Sequence, residues 1–174
     1  LQQSMAAAEA NGTRLALLFV DLDHFKRVND SLGHLVGDTL LRTVSERIQG
    51  CLRATDRVAR FGGDEFMVLL QGIGAPHQQH HDVDEVARKL LAAIEVPVIA
   101  EGQPISVTPS IGVAFHPGDA RTPDELVKHA DNAMYQAKSR GRANHQFFDP
   151  GKADTAYAAL VLEGQLAAAL ERGE

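Results

Sequence analysis

The segment from Leu15 to Val20 is an unbroken run of apolar residues, and two carboxylates, Asp21 and Asp23, follow closely behind it. A short, continuous apolar run of this kind is typical of a β-strand that is buried on both faces of its sheet. Such a strand brings the polar groups at its end to one edge of the sheet. We therefore expect a buried strand that ends in two acids at the edge of the sheet, where they could take part in catalysis.

A second pair of acids lies at the tip of a predicted β-hairpin. Two short β-prone runs, 57–60 and 66–70, flank the segment Gly62-Gly63-Asp64-Glu65. Glycines at the bend let a phosphate or a base come close to the backbone. If the sheet sets the two strands side by side, the acids meet, and carboxylate oxygens suit hard divalent cations. Spacing alone leaves this open, because acids are also common where strands and turns end in solvent.

Three further segments have the signals of helices. Apolar residues recur at helical spacing over roughly 36–52 and from Val83 to Ile94. The third helix begins at Thr122, because a threonine in a capping box, a proline at the first helical position and a glutamate at the third mark a helix start. It ends near Gly141.

The remaining segments predict turns, loops and strands. Strands that alternate with helices around one hairpin predict a mixed sheet on which the helices pack. In chain order we expect a turn at Asn29-Asp30-Ser31, a polar loop at 71–81, a strand region at 105–115 interrupted at Pro109 and Gly112 by an edge position or a bulge, and a last strand at 145–148.

With 174 residues, of which 44% are apolar, the chain has the size and composition of one globular domain. Its formal net charge of −6 disfavours binding along a nucleic acid and favours a small ligand. The one cysteine, Cys51, is expected to be a buried thiol in a reducing compartment. No segment approaches the roughly 18–20 apolar residues that span a bilayer. These features predict a cytoplasmic domain, or the cytoplasmic part of a membrane-anchored protein, cut from a longer chain.

An ordered series of motifs runs through the chain: Asp21-Leu22-Asp23-His24-Phe25-Lys26, Asn29-Asp30, Gly33-His34, Gly37-Asp38, Gly62-Gly63-Asp64-Glu65-Phe66, Ser110-Ile111-Gly112-Val113-Ala114 and Ala133-Met134-Tyr135-Gln136-Ala137-Lys138, with Gly141-Arg142 behind. Over about residues 13–148 this series resembles the GGDEF domain of diguanylate cyclases. The resemblance implies an α+β, palm-like fold of the nucleotidyl cyclase type, with a mixed, mainly antiparallel sheet of five strands surrounded by helices. It divides the chain into a GGDEF domain at 1–148 and a C-terminal linker helix at 149–174, of the kind that leads into an EAL-type phosphodiesterase domain in composite proteins.

The resemblance also implies roles for individual residues. Divalent cations, Mg²⁺ or Mn²⁺, would be held by Asp21, Asp64, Glu65 and the backbone carbonyl of Leu22. Asp64 and Glu65 would be the catalytic acids, with Glu65 as a further metal ligand or as the group that helps to deprotonate the attacking hydroxyl. The substrate-binding residues would be Phe25, Lys26, Asn29, His34, Asp38, Gly62, Gly63, Lys138 and Arg142, with Asn29 and Asp38 on the guanine and the two cations on the outer phosphates.

The implied reaction condenses two GTP molecules into cyclic di-GMP and two pyrophosphates, with two divalent metals in each site. Each domain binds one GTP, so the reaction needs a homodimer in which two sites face each other. The main rival is a catalytically silent GTP-binding domain that regulates an adjacent phosphodiesterase domain. A dimerisation module without enzymatic activity is a third class, and it leaves the acids unexplained. Additional sensory and EAL-type domains are expected in the full-length chain.

Several of these residues could instead have ordinary structural roles. Asn29 is also a common turn residue, and Asp38 is also an acid favoured by the dipole at the start of a helix. Lys138 and Arg142 can instead satisfy the last carbonyl groups of their helix. The tetrapeptide Arg53-Ala54-Thr55-Asp56 matches a site where cyclic di-GMP inhibits many family members, with Arg88 as a weaker candidate partner, or else it forms an ordinary surface ion pair.

Three further features bear on these expectations. The histidines at 77, 80 and 81 are interpreted as solvated loop residues, since no carboxylate or cysteine partners accompany them. A Leu-Thr-Gly-Leu-x-Asn-Arg segment, which usually opens the family and helps to wall the base pocket, is absent from the sequence. The order Gly141-Arg142-Ala143-Asn144 places an alanine where the family often has Gly-Arg-Asn, and we expect this to shift Asn144 without moving Arg142.

Overall fold

The computed structural model describes residues 1–74 and 76–152, without the side chains at 76 and 77. Its helices and strands are interspersed along the chain. In order they are α1 (Gln2–Ala10), β1 (Arg14–Leu22), α2 (Phe25–Leu32), α3 (His34–Cys51), β2 (Arg57–Gly62), β3 (Glu65–Ile73), α4 (Pro76–Glu95), β4 (Val98–Ala100), β5 (Gln103–Ile105), β6 (Pro109–His116), α5 (Pro123–Ser139) and β7 (His145–Phe147).

One five-stranded sheet organises the chain, in the order β2-β3-β1-β6-β7. Strand β1 is at its centre and runs antiparallel to both β3 and β6. Strands β2 and β3 form the predicted hairpin, and among the described strands β6 and β7 are the pair that runs in parallel. The prediction of a mixed, mainly antiparallel sheet with helices around it is confirmed.

Strand β1 is buried on both faces, as its apolar run predicts. Its even-numbered residues, such as Leu18, belong to a core cluster that includes residues of α3 and α4. Its odd-numbered residues, such as Leu17, belong to a second cluster that includes residues of α1 and α5. This alternation follows from the two-residue period of a strand, and it places Asp21 on the face that α5 covers.

Helix α5 begins with the predicted capping box. The Thr122 hydroxyl accepts a hydrogen bond from the Glu125 backbone N–H, the Glu125 carboxylate accepts one from the Thr122 N–H, and Pro123 occupies the first turn. The helix lies very close to β6, because a Cβ atom at Gly112 would be 2.0 Å from the Ala130 carbonyl oxygen. Gly112 therefore marks a close contact between helix and strand.

The prediction for 105–115 is wrong in its details. Strand β6 runs without interruption from Pro109 to His116 and is flanked by β1 and β7, so it is neither at an edge nor bulged at Gly112. Pro109 is its first residue, a position where a strand tolerates a missing N–H. Ile105 instead ends a short hairpin, β4–β5, that the sequence does not predict.

Two predicted irregular segments are regular in the structure. The expected turn at Asn29 is part of α2, where burial of Phe25 outweighs the weak helix propensity of the Asn-Asp-Ser run. The expected loop 71–81 is shared by the end of β3 and the start of α4. A bulge at Gly72, whose φ is +66°, keeps the strand going, and Pro76 stands at the first helical position.

The histidines of α4 are consequently on a helix, and their assignment to a loop is wrong. The His80 ring lies 4.9 Å from the ring of Phe115 and 5.0 Å from that of Phe147, measured between centroids. Cys51 is half-buried at the last position of α3. Most of the expected linker helix at 149–174, including Leu162, Leu166 and Leu170, lies outside the described residues. Among the helices that are described, none has the length and apolar character needed to span a membrane.

Candidate functional site

The acids of β1 and of the hairpin tip meet at one edge of the sheet. The antiparallel register of β1 and β3 places Asp21 opposite Glu65. The Leu22 N–H donates to the Asp64 carbonyl oxygen at 3.3 Å, which fixes the hairpin tip against the end of β1. The adjacency of strands on which the predicted site depends is therefore present.

Asp21 carries its charge in a nearly closed environment, with 7% of the residue exposed. Burial raises the pKa of Asp21, the hydrogen bond and charge of Lys138 oppose that rise, and the charges of Asp64 and Asp23 add to it. The Lys138 Nζ lies 2.8 Å from Asp21 Oδ1. The Lys138 ammonium group is therefore the positive partner of the Asp21 carboxylate in this structure.

Glu65 experiences the same crowding of negative charge. Burial raises its pKa first, followed by the charges of Asp21, Asp131 and Asp64, with Lys138 acting in the opposite direction. A group of carboxylates that share one ammonium gains from a further cation. Within the described residues no three His, Cys, Asp or Glu side chains form a complete cage for a metal. Magnesium uses few protein carboxylates together with water and phosphate oxygens, so this donor set fits such an ion.

Asp131 belongs to the neighbourhood of the site, and the sequence analysis missed it. Partial burial raises the pKa of its carboxyl group, and the charge of Lys138 lowers it. The signal that could have found it is the spacing on α5, because Asp131 and Lys138 are two helical turns apart and face the same way.

Arg60 is a second residue that the sequence analysis missed. Its Nε and Nη2 atoms donate to the Gly63 carbonyl oxygen at 2.8 and 2.6 Å. Gly63 has a φ of +47°, and a register shift separates Arg60 from Gly62 in the β2–β3 pairing. The guanidinium group therefore holds the bulged tip that carries Asp64. Phe61, beside it, is 61% exposed.

The Asp23 carboxylate is engaged in hydrogen bonds within the protein. Its carboxylate accepts hydrogen bonds from the Thr108 and Ser110 hydroxyl groups, both at 2.7 Å, and from the Ala143 N–H at 3.2 Å. These bonds tie the end of β1 to β6 and to the turn after α5. The Arg142 Nε lies 3.9 Å from Asp23 Oδ1, so this arginine sits at the rim of the acid cluster.

The end of α5 is capped without the side chains of Lys138 and Arg142. The Ala137 carbonyl oxygen accepts hydrogen bonds from the Arg142 N–H at 3.1 Å and from the Asn144 side-chain amide at 2.8 Å. Both cationic side chains are turned toward the acids, and the alternative in which they satisfy the last helical carbonyls is not what the structure has.

The two predicted guanine-binding residues lie on adjacent helices and flank Gly37. The Asn29 Oδ1 atom is buried and has no hydrogen-bond partner. A Cβ atom at Gly37 would stand 1.9 Å from it, so only glycine leaves room for this amide. Asp38 follows Gly37 in α3 and is exposed to a cavity of about 390 Å³ that Asn29 does not line.

The other predicted substrate-binding residues differ in how accessible they are to a ligand. Phe25 is 6% exposed and packs in the core against α3, so its ring is not open to a phosphate. Lys26 and His34 are exposed near the two ends of α2. Gly62 and Gly63 lie at the hairpin tip, and a Cβ atom at either glycine would meet nothing within 4 Å.

The Arg53 tetrapeptide forms a turn with no ion pair between its ends. One carboxylate oxygen of Asp56 accepts from the Arg53 backbone N–H at 2.9 Å, and the other accepts from the Gln71 N–H at 3.2 Å. Asp56 therefore orders the turn and joins it to β3. Arg88, the weaker candidate, forms an ion pair with Asp84 at 2.9 Å on α4.

Comparison with known proteins gives consistent matches. The family described as "Diguanylate cyclase, GGDEF domain" matches residues 1–144. In Pseudomonas aeruginosa, the cyclic di-GMP phosphodiesterase NbdA is 42% identical over 97% of this chain, and the bifunctional diguanylate cyclase/cyclic di-GMP phosphodiesterase MucR is 41% identical over 99%. The chain spans only 21% and 24% of those two proteins.

The fold has a close counterpart among solved structures. The crystal structure of the GGDEF domain of TpbB from Pseudomonas aeruginosa superimposes with a TM-score of 0.81 at 39% sequence identity. The match covers 86% of this chain and 91% of that one. This likeness confirms the predicted palm-like α+β fold.

Proposed function

The chain belongs to the family of GGDEF diguanylate cyclase domains, and on that premise we propose that it condenses two GTP molecules into cyclic di-GMP and two pyrophosphates. The observation that carries this proposal is the meeting of Asp21, Asp64 and Glu65 at one edge of the sheet with Lys138 beside them. A site for phosphoryl transfer needs negative ligands for cations and positive side chains for phosphates in the same place.

Asp21, Asp64, Glu65 and the Leu22 carbonyl oxygen would hold two divalent cations, Mg²⁺ or Mn²⁺. Bound there, the cations would offset phosphate charge and acidify the attacking hydroxyl group. The raised pKa values of Asp21 and Glu65 are compatible with this assignment, because burial first and the neighbouring acids second disfavour the ionised carboxylates, and a bound cation would oppose both effects. Glu65 would accept the hydroxyl proton or complete the ligand set.

Lys138 and Arg142 would bind the outer phosphates of GTP. Lys138 would exchange its ion pair with Asp21 for a phosphate oxygen once the carboxylate is engaged elsewhere. The open backbone at Gly62 and Gly63 would admit the nucleotide to the hairpin tip. Exposed side chains at Lys26 and His34 would lie along the rim of the triphosphate, with Phe25 anchoring the start of α2 in the core.

Asn29 and Asp38 would recognise guanine. A carboxylate accepts hydrogen bonds from the ring N–H and the amino group of guanine, and adenine offers no such pair of neighbouring donors. The contact of the Asn29 side chain with Gly37, the residue directly before Asp38, supports a shared role, because it holds the two residues close together on adjacent helices.

A homodimer would complete the reaction. Two 3′-oxygen–phosphorus bonds form and two α–β phosphoanhydride bonds break, which releases two pyrophosphates and two protons. Each site supplies one acid cluster, so each half of the ring closure would draw its attacking hydroxyl from the nucleotide held by the other copy.

We also propose that cyclic di-GMP binds at Arg53, whose exposed side chain extends from the turn that Asp56 orders.

A second candidate function is a silent GTP-binding domain that regulates a neighbouring phosphodiesterase domain. The observation that favours it is the 42% identity with a segment of NbdA, which is named a phosphodiesterase. In either case we propose that the GGDEF domain ends near residue 148, that a linker helix follows over 149–174, and that sensory and EAL-type domains adjoin it. We also propose that the domain is cytoplasmic, or is the cytoplasmic part of a membrane-anchored protein, because it would use GTP.

Incubation of the chain with GTP and Mg²⁺ at a concentration where it is dimeric tests the proposal. We expect cyclic di-GMP on chromatography, and a loss of roughly 10²-fold or more in rate for Asp64→Asn. The matched control is Asp124→Asn, an exposed acid in the first turn of α5 that stays active. Binding of GTP without product, in a sample shown to be dimeric, would favour the regulatory function.

A further inference from the structure

Helix α3 presents an acceptor and a donor, one helical turn apart, to the same cavity. Asp38 and Arg42 both line the space of about 390 Å³ between α3 and the β2–β3 hairpin, over a floor formed by Leu41 and Phe66. Leu41 is 5% exposed and Phe66 is 1% exposed, so the floor is part of the core. Above this apolar floor the walls are polar or charged, so the cavity suits a small ring whose edges carry hydrogen-bonding groups.

The cavity contains two arginines, and only one of them is available to a ligand. Arg60 already donates twice to the Gly63 carbonyl oxygen. Arg42 forms no hydrogen bond or ion pair with any residue that the structure describes, even though Asp38 and Glu46 stand one turn away on either side. Its guanidinium group is thus an exposed hydrogen-bond donor on the wall of the cavity. The Asp38 carboxylate supplies hydrogen-bond acceptors to the same cavity.

We propose that Arg42 is a specificity-determining residue that donates to O6 and N7 of the guanine base. This inference rests on the proposed function and assigns the edge of the base that Asp38 leaves unrecognised. Guanine carries two neighbouring acceptors, O6 and N7, beside the donors that a carboxylate binds, and arginine pairs with those two acceptors in a bidentate manner.

The same pair of side chains works against adenine. Adenine places an amino group where guanine has O6, so Arg42 would face a donor with a donor, and Asp38 would face an unprotonated ring nitrogen. Discrimination by two oppositely directed groups is stronger than discrimination by one, because the wrong base loses both contacts and leaves a charge unpaired.

A competition experiment isolates the Arg42 contact. A fluorescent α,β-methylene analogue of GTP, which cannot release pyrophosphate, is bound to the chain and displaced by GTP, 7-deaza-GTP or ITP. 7-deaza-GTP lacks only the N7 acceptor, and ITP lacks only the amino group that Asp38 would bind. For the parent chain we expect 7-deaza-GTP to bind about fivefold more weakly than GTP.

For Arg42→Ala we expect GTP to bind about tenfold more weakly, and the preference for GTP over 7-deaza-GTP to disappear. The preference for GTP over ITP stays as in the parent. Arg42→Lys keeps the charge without the fork of donors and gives an intermediate ratio. The matched control is Arg121→Ala, an exposed arginine outside the cavity, which keeps both ratios.

Each outcome bears on one of two statements. A preference for GTP over 7-deaza-GTP that survives Arg42→Ala, or that is absent from the parent chain, overturns the assignment of Arg42 and leaves the proposed function standing. Failure of the labelled analogue to bind the parent chain overturns the proposed function, and the assignment of Arg42 falls with it. Circular dichroism of Arg42→Ala accompanies the measurement, and a folded variant is expected because the exposed side chain forms no internal bond.

Discussion

At the scale of the residue, two glycines have different reasons to lack a side chain. A Cβ atom at Gly112 would meet backbone atoms of α5 at 2.0 Å, whereas a Cβ atom at Gly37 would meet the end of the Asn29 side chain at 1.9 Å. Backbone cannot retreat without moving a helix, but a side-chain amide can rotate. Gly112 therefore protects the fold, and Gly37 protects the position of one polar group.

Substitution of these glycines separates stability from ligand binding. We expect Gly112→Ala to lower the free energy of unfolding by about 3 kcal/mol or more, because α5 has to shift away from β6. Gly37→Ala is expected to cost less stability and to weaken GTP binding through the displaced Asn29. Urea unfolding and nucleotide titration measure the two effects.

The control for these substitutions is Gly50→Ala in α3. A Cβ atom there meets nothing within 4 Å, so we expect a gain of about 0.5–1 kcal/mol from the lower entropy of the unfolded chain. Equal stability of Gly112→Ala and the parent chain would contradict the close contact between α5 and β6.

At the scale of the element, α5 depends on its first turn. Its capping box satisfies N–H groups that have no partner inside the helix. The hydrogen bonds from the Arg121 and Thr122 N–H groups lower the pKa of Glu125, since they favour the carboxylate. An acid whose pKa is lowered on folding stabilises the protein above its ordinary pKa, and it loses that contribution as the pH falls through the folded value.

Thr122→Ala is expected to lower the free energy of unfolding by about 1 kcal/mol at neutral pH. Glu125→Gln removes the titrating group, so its unfolding free energy should depend less on pH in the acidic range than that of the parent. Urea unfolding at several pH values measures both. Thr43→Ala, inside α3, is the control and should be close to neutral, because alanine has the higher helix propensity. A Thr122→Ala chain as stable as the parent would refute the contribution of the cap.

At the scale of the whole molecule, the proposed reaction centre is divided between two copies. One chain gathers one cluster of acids, around Asp21, and one cavity beside Asp38. Each chain would bind one nucleotide, and the product is made from two. The active species would therefore be a dimer.

The initial rate of cyclic di-GMP formation should therefore rise with about the square of the protein concentration while most of the protein is monomeric. Analytical ultracentrifugation under the same conditions gives the fraction of dimer, and the rate should follow that fraction. A rate that is proportional to protein concentration throughout the monomeric range would contradict the proposal that the site is shared.

The sequence by itself determined the features that arise from local physics. The continuous apolar run at 15–20 requires a strand covered on both faces, and the capping box at Thr122 starts a helix through contacts within four residues. The hairpin tip follows from its glycine pair. The order of motifs also identified the family, and with it the sheet that the structure contains.

Only the tertiary structure decided which distant residues meet. The facing of Asp21 and Glu65 depends on the register between β1 and β3, which local sequence does not specify. The helix at Asn29 and the unbroken strand through Gly112 reverse local propensities, because burial of Phe25 and close packing of α5 outweigh them. Asp38 and Arg42 are neighbours through the helical spacing of α3, but their position opposite the hairpin has the same tertiary origin, because contacts between separate elements are set by packing of the whole core.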